Sequence, residues 1–471
     1  MFVEQGVKAQ DRNVQIPGSL RFRIKFLFRL KWFIHSVFPY SGVMVLLLLL
    51  GKRNRVNFPI AALMRPYLST FLACLQSGLF VILLIIALTV NPLWAGDAAK
   101  VPTFDSLTQS GLEHYYSLEY DQAFKEFQKA IDLKPDDPKA VNHLLEAVLF
   151  SELYRHDALD TSLYTQQSFL SSKQITLDPK VKQQIKDLAD KALSLSEKRL
   201  KSNPKDVEAL YARGVTKGLH STYLALVEHA WFASLRNALG SRSDHEEVLK
   251  LQPSFVDART VVGIHNYVVA SLPVAVKIMA GIGGIHGDKK KGLDYLAEAG
   301  KAGGESSVDA NVALGLFLRR ESRFQDAMGV VHHLVEQHPH NFLFALEAAN
   351  LLKDSGKKPE AVAAYRNVVE SCKQNKFPSA HVEMAYFSLA GVLRAQGQYA
   401  ESIQAYESAG NATTTNNELR QRALVAAGEV SDLLTKRDDA VKEYRAAIAL
   451  DGSSPEADLA RKYLNKPYRE H

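Results

Sequence analysis

Cysteine is nearly absent from this chain: Cys74 and Cys372 are the two in 471 residues, which leaves no disulfide framework and no paired-cysteine metal motif. Catalytic signatures are missing as well. His245 is followed by Glu246 and Glu247, but Leu249 stands where the paired-histidine helix of zinc proteases needs its second histidine. In GIGGIHGDKKKG, Gly281 and Gly283 lead to His286 where a dinucleotide fingerprint needs glycine, and no glycine precedes a Lys-Ser or Lys-Thr pair in phosphate-loop spacing. Lys289 to Lys291 therefore read as solvated residues of a connecting loop. No Gly-x-Ser-x-Gly elbow occurs. His332, His333, His338 and His340 cluster, but adjacent helical residues point apart and the last two flank Pro339 in a turn, so they read as surface histidines. The expectation is a protein with no catalytic residue, no metal and no cofactor.

The net charge of +6 misleads. Residues 1–95 hold eleven Lys or Arg against two acids, leaving 46 basic and 49 acidic residues after them. The remainder is mildly acidic, its cations read as solvated surface, and no nucleic-acid partner is expected.

What the chain does have is a period. Leu314, Gly315, Phe324, Ala327, Val331 and Pro339 form a spaced set of large, small, aromatic and helix-ending residues, and Ala349, Gly356, Ala361, Tyr365 and Val368 repeat it 34 residues on. Small residues let two helices cross closely, and large ones fill the space beside the crossing. The set recurs as Gly111, Tyr120, Ala123, Phe127, Ala130 and Pro135, as Leu389, Gly397, Tyr399, Tyr406 and Ala409 with Ser402 where alanine is usual, and as Gly428, Ala440, Tyr444 and Ala447. Residues 455–464 read as a capping helix.

This pattern resembles the tetratricopeptide repeat, which implies an all-α, tetratricopeptide-type helical-hairpin solenoid. The middle is less regular, but Pro204 to Gly214 and Pro253 to Gly263 keep the repeat's ten-residue step, so hairpins with longer helices are expected there. Residues 261–300 also resemble the eukaryotic tetratricopeptide family that includes the fungal inclusion body clearance protein, through Leu272, Pro273, Gly287, Asp288, Gly292 and Leu293. That resemblance implies a helical-repeat adaptor without chemistry.

Two apolar segments precede the repeats. Residues 32–51 and 66–95 carry no charge, and the second ends in NPLWAGDAAK, where Ala95 before Gly96 resembles a signal-peptidase site although Leu93 fits it poorly. If both segments spanned a membrane, the basic runs around them would lie on opposite sides, against the positive-inside tendency. The expected organisation is a basic apolar extension over 1–63, untranslated if synthesis begins at Met64, a signal peptide or anchor over 64–95, irregular helical repeats over 96–300 and regular repeats with a cap over 301–471. Export to the periplasm or cell envelope and anchoring in the membrane by residues 67–90 stay open.

The resemblance implies that the first helix of each hairpin lines a concave groove. In this register the partner-binding candidates are Val312, Leu316, Arg319, Arg320, Leu346, Asn350, Lys353, Phe387 and Arg394, an apolar surface with a basic edge. Val312 and Leu316 replace the Lys and Asn of the chaperone-tail clamp known in this fold, which disfavours that ligand. The function expected is a protein-interaction scaffold in the cell envelope that binds partner peptides. The alternative is a membrane or lipid-associated adaptor using the apolar stretch 268–285.

Overall fold

Helix start signals and close-crossing residues together set the architecture. The computed structural model describes residues 102–165, 175–273, 277, 284 and 286–470, and every regular element among them is helical. In order they are α1 (Phe104–Tyr116), α2 (Tyr120–Leu133), α3 (Pro138–Arg155), a 3-10 turn (Thr161–Tyr164), α4 (Pro179–Ser202), α5 (Val207–Leu226), α6 (Trp231–Leu251), α7 (Ala258–Ser271) and α8 (Lys289–Lys301). Then follow α9 (Ser307–Arg320), α10 (Phe324–Gln337), α11 (Phe342–Asp354), α12 (Lys358–Lys373), α13 (Val382–Ala395), α14 (Tyr399–Asn411), α15 (Asn417–Leu433), α16 (Arg437–Leu450) and α17 (Pro455–Asn465). Asp137, Asp178, Asp206, Asp288, Asn341, Asn416 and Ser454 cap seven of these helices by accepting a hydrogen bond from a backbone N–H of the first turn.

Odd-numbered helices pair with the next even-numbered one, and α17 covers the end of the last hairpin by packing on α15 and α16. The crossings are as close as the small residues predict. A Cβ added to Gly428 would lie 2.5 Å from the Tyr444 ring, and one added to Gly111 would lie 2.6 Å from Phe127 Cδ1. Ala123, Ala327, Ala361 and Ala440 are fully buried, and so is Ser402, whose hydroxyl donates to the Ala390 carbonyl at 2.8 Å and so satisfies its polarity. Ala361→Leu should overpack this crossing and cost about 1 to 3 kcal/mol in urea unfolding. In the middle, Gly263 and Gly292 bring α7 and α8 into backbone contact, Gly287 lies against the α7 backbone, and Asp288 caps α8. That explains the Gly-Asp-basic-Gly-Leu run without any ligand.

Five hairpins close with a three-residue turn through one left-handed residue, and only two of these are glycine: Leu118, Ser322, Gly356, Gly397 and Thr435. A β-branched residue is strained at Thr435's φ of +60°. Thr435→Gly should therefore stabilise the chain by about 1 kcal/mol, read as a shift in urea midpoint without a change in slope.

The stack does not stay open. Fourteen of the eighteen residues of α3 are buried, because it is surrounded rather than lying on one face. Leu118 and Tyr154 sit in one apolar cluster with Phe342, Tyr365, Met384 and Val430, while Val308, Leu334 and Phe344 join the cluster built by α1 to α3. Polar contacts follow the same path: Tyr116 donates to Asp309 Oδ2 at 3.1 Å, Asn341 Nδ2 to the Tyr116 carbonyl at 2.7 Å, and Tyr154 to the Ser379 carbonyl. The N-terminal hairpin and α3 thus lie against repeats roughly two hundred positions later.

Among the described residues, no helix is long and apolar enough to cross a membrane. The apolar segments 32–51 and 66–95 lie outside those residues, as do most positions of 268–285 after Pro273.

Candidate functional site

The first helices of five hairpins face one another around a cavity of about 640 Å³. α1 supplies Leu112 and Tyr116, α3 supplies His143, Glu146 and Phe150, and α5 supplies Tyr211, Val215 and Leu219. From α7 come Val261, Ile264, His265 and Val268, and from α9 come Asp309, Val312, Ala313, Leu316 and Phe317. A second hollow of about 130 Å³ shares Tyr116, Phe150, Asp309, Val312 and Leu316 with it. The walls are mostly apolar, and the size lies in the range of ligand sites, about 300 to 1,000 Å³.

Four acids stand in this apolar frame among hydroxyl, amide and imidazole groups: Glu146, Asp257, Glu305 and Asp309. Burial, reinforced by Asp309 and Glu305, pushes the Glu146 carboxyl well above the usual carboxylate range. Burial also raises Asp309, to about 6, against the hydrogen bond from Tyr116, and Asp257 adds to the rise. Glu305 behaves oppositely. Burial works against its ionisation, but His143 and Lys139 outweigh it and hold the carboxyl at about 2, with Lys139 Nζ at 2.6 Å. Asp257 Oδ1 accepts from the Ser306 backbone at 3.2 Å and its hydroxyl at 2.9 Å. His265 is held neutral, its pKa lowered to about 4 by burial and Arg242, and its buried Nε2 has no hydrogen-bond partner. Among the described lining residues, Lys139 is the one Lys or Arg, and Glu305 engages it.

The residues expected to bind a partner fall in three settings. Val312 and Leu316 face both hollows. Arg319 is covered by the chain's own segment after α3, whereas Leu346 and Asn350, though buried, line the smaller hollow beside Thr161. Arg319 is 4% exposed and pairs with Glu347 at 2.9 Å and Asp354 at 2.6 Å, while donating to Thr161 and Ser162 of the 3-10 turn. Thr161 donates to Glu347 at 2.5 Å, Asn350 donates to Glu347 and accepts from Tyr365, and Leu346 is 2% exposed. The remaining four are half-buried on other contacts. Arg320 lies over the Tyr267 ring, Lys353 is 3.6 Å from Asp354, Phe387 packs on Tyr406 beneath Arg422, and Arg394 pairs with Glu429 and Glu470. Of the expected basic edge, Arg319, Lys353 and Arg394 meet acids of the chain itself and Arg320 lies on an aromatic ring, while the cavity holds four carboxyl groups against one lysine. Of the clustered histidines, His332 and His333 are exposed, His338 tilts against Tyr116, and His340 bonds the Lys376 carbonyl at 3.0 Å.

The cavity carboxylates carry no motif. The one signal was α3 itself: a stretch apolar on every side yet holding Asn142 and Glu146 four residues apart reads as a central helix with a polar stripe.

Stacked helical hairpins with close small-residue crossings around a concave channel define a protein of tetratricopeptide-repeat type. Residues 346–414 match the family model described as tetratricopeptide repeat. No curated protein matches the chain in sequence. Among solved structures it is similar to yeast Tom70 (13% identity, 79% of this chain and 90% of that one, TM-score 0.36). It is likewise similar to the human IFIT1 dimer with m7Gppp-AAAA (13%, 78% and 83%, 0.37). A tetratricopeptide repeat protein from Parabacteroides merdae is a further match (12%, 69% and 98%, 0.30).

Proposed function

We propose that the chain is a non-catalytic protein-interaction scaffold whose partner inserts a basic side chain, flanked by apolar residues, into the cavity ringed by α1, α3, α5, α7 and α9. The carrying observation is that Glu146 and Asp309 are carboxylates raised by burial, in an apolar wall whose one lysine is already engaged. A cation placed there lets both ionise, whereas a phosphate backbone would meet acids, so the geometry supports a peptide over a nucleic acid. The basic edge read from the sequence would call for a peptide with acidic residues; the cavity carboxyl groups call for a basic one.

Fluorescence anisotropy tests this on the full chain, with labelled peptides carrying Arg or Glu between leucines. The Arg peptide should bind, and Glu146→Gln or Asp309→Asn should weaken it about tenfold, equivalent to about 1.4 kcal/mol. Below its pKa of about 6, Asp309 is protonated in the free protein, so binding releases a proton and should tighten as pH rises through about 6. Equal binding of the Glu peptide, or no effect of either substitution, would sink the proposal.

We place the scaffold in the cell envelope, exported or anchored by residues 67–90; the support is the uncharged run and the Ala95–Gly96 junction. Mass spectrometry of the native N-terminus tests this: a first residue at Gly96 supports export, and peptides from residues 1–30 overturn a start at Met64.

A further inference from the structure

Where α3 ends, the chain turns through Asp157 in the left-handed conformation, φ +58°, and this turn meets the start of α13. Asp157 Oδ1 lies 2.6 Å from His381 Nδ1, and Glu383 Oε1 lies 3.7 Å from the same nitrogen. The three donor atoms all fall within 4.8 Å of one another. Glu383 is fully buried, and its Oε1 has no hydrogen-bond partner. The other oxygen of each carboxylate is held from outside the cluster: Asn416 Nδ2 donates to Asp157 Oδ2 at 2.8 Å, and the Thr414 hydroxyl donates to Glu383 Oε2. Tyr154 packs on the His381 ring with centroids 4.3 Å apart.

We propose that Asp157, His381 and Glu383 form a divalent transition-metal site that clips the end of α3 to the start of α13. An imidazole and two carboxylates, each oriented by an outer donor, are the ligand types and support that zinc sites use. Bonds of about 2.0 to 2.2 Å to one ion require neighbouring donors about 3 to 3.5 Å apart, which small side-chain rotations provide here. The unpartnered Glu383 oxygen gains a ligand bond in place of a missing hydrogen bond. Ligation through Nδ1 needs the imidazole proton on Nε2, so the His381–Asp157 hydrogen bond gives way to a metal bond at each atom. Zn²⁺ should bind more tightly than Mn²⁺ at this mixed set. This site is distinct from the concave cavity and does not depend on its occupant.

The test is calorimetric titration of the full chain, stripped with EDTA, with Zn²⁺ and separately with Mn²⁺; Co²⁺ serves as a spectroscopic probe. One Zn²⁺ per chain is expected, with Mn²⁺ weaker, and His381→Gln, Glu383→Gln and Asp157→Asn should each weaken Zn²⁺ at least tenfold. Asparagine tolerates the left-handed φ at 157, so that variant reports on ligation with the turn intact. Co²⁺ should give a visible absorption band that Asp157→Asn removes. Zn²⁺ should also raise the urea midpoint of the parent chain and leave that of Asp157→Asn unchanged. Absence of a one-to-one Zn²⁺ isotherm, or Zn²⁺ affinity unchanged in all three variants, would overturn the site, the latter placing the ion on other residues such as His332 and His333.

Discussion

Replacing Arg319 by methionine should lower the unfolding free energy by about 3 to 5 kcal/mol, the range for removing one partner of a buried ion pair. The side chain is 2% exposed, and its guanidinium reaches Glu347, Asp354, Thr161 and Ser162 at once. Methionine fills much of the volume but leaves Glu347 with a buried, uncompensated charge. The loss should show in urea unfolding followed by far-ultraviolet circular dichroism. Replacing Glu347 by leucine in the same chain should recover part of it, because removing both members of a buried pair costs less than removing one. A loss below about 1 kcal/mol would mean that the guanidinium is paired at a wet surface instead. Since Arg319 also fastens residues 161 and 162, the methionine variant should be cut sooner by protease near the 3-10 turn.

Phe127→Ala should cost a similar amount, about 3 to 5 kcal/mol, by leaving a cavity where a fully packed ring stood. Phe127 is 1% exposed, fits the notch over Gly111, and stacks on His143 of the cavity wall with centroids 5.4 Å apart. The register of the first hairpin makes a second measurement possible. Gly111→Ala alone should cost about 1 to 3 kcal/mol by overpacking, yet should be nearly neutral in the Phe127→Ala background, where its methyl enters the vacated space. Additive losses in the double variant would show that Gly111 and Phe127 do not share one crossing.

The hairpins were legible because close crossing restricts side-chain size. Ala327 and Ala361 are fully buried where the period puts them, and Pro455 opens the cap. The turn residues Leu118, Ser322 and Thr435 gave no warning, since three-residue turns between packed helices impose a left-handed conformation without glycine. The groove register was legible to the level of which helix faces inward: Val312 and Leu316 line the concave side. What local periodicity could not reveal was that residues 157–165 lie over the same surface, because that depends on how the whole superhelix curves. Arg319 illustrates the limit. Its spacing marks it as inward, and only its partners 28 and 35 residues on, with the turn more than 150 residues before, show that it is spent on the fold.

Contacts such as Tyr154 to Ser379, Asp157 to Asn416 and Tyr116 to Asp309 join positions 225, 259 and 193 residues apart. An open solenoid can gain or lose a hairpin at little cost, because each unit touches only its neighbours. Here the insertion or deletion of one hairpin between α4 and α12 would carry His381 and Ser379 away from the turn they meet. The number of units between α3 and α13 is therefore fixed by these contacts, and such length changes should be tolerated only in the loops or beyond α15.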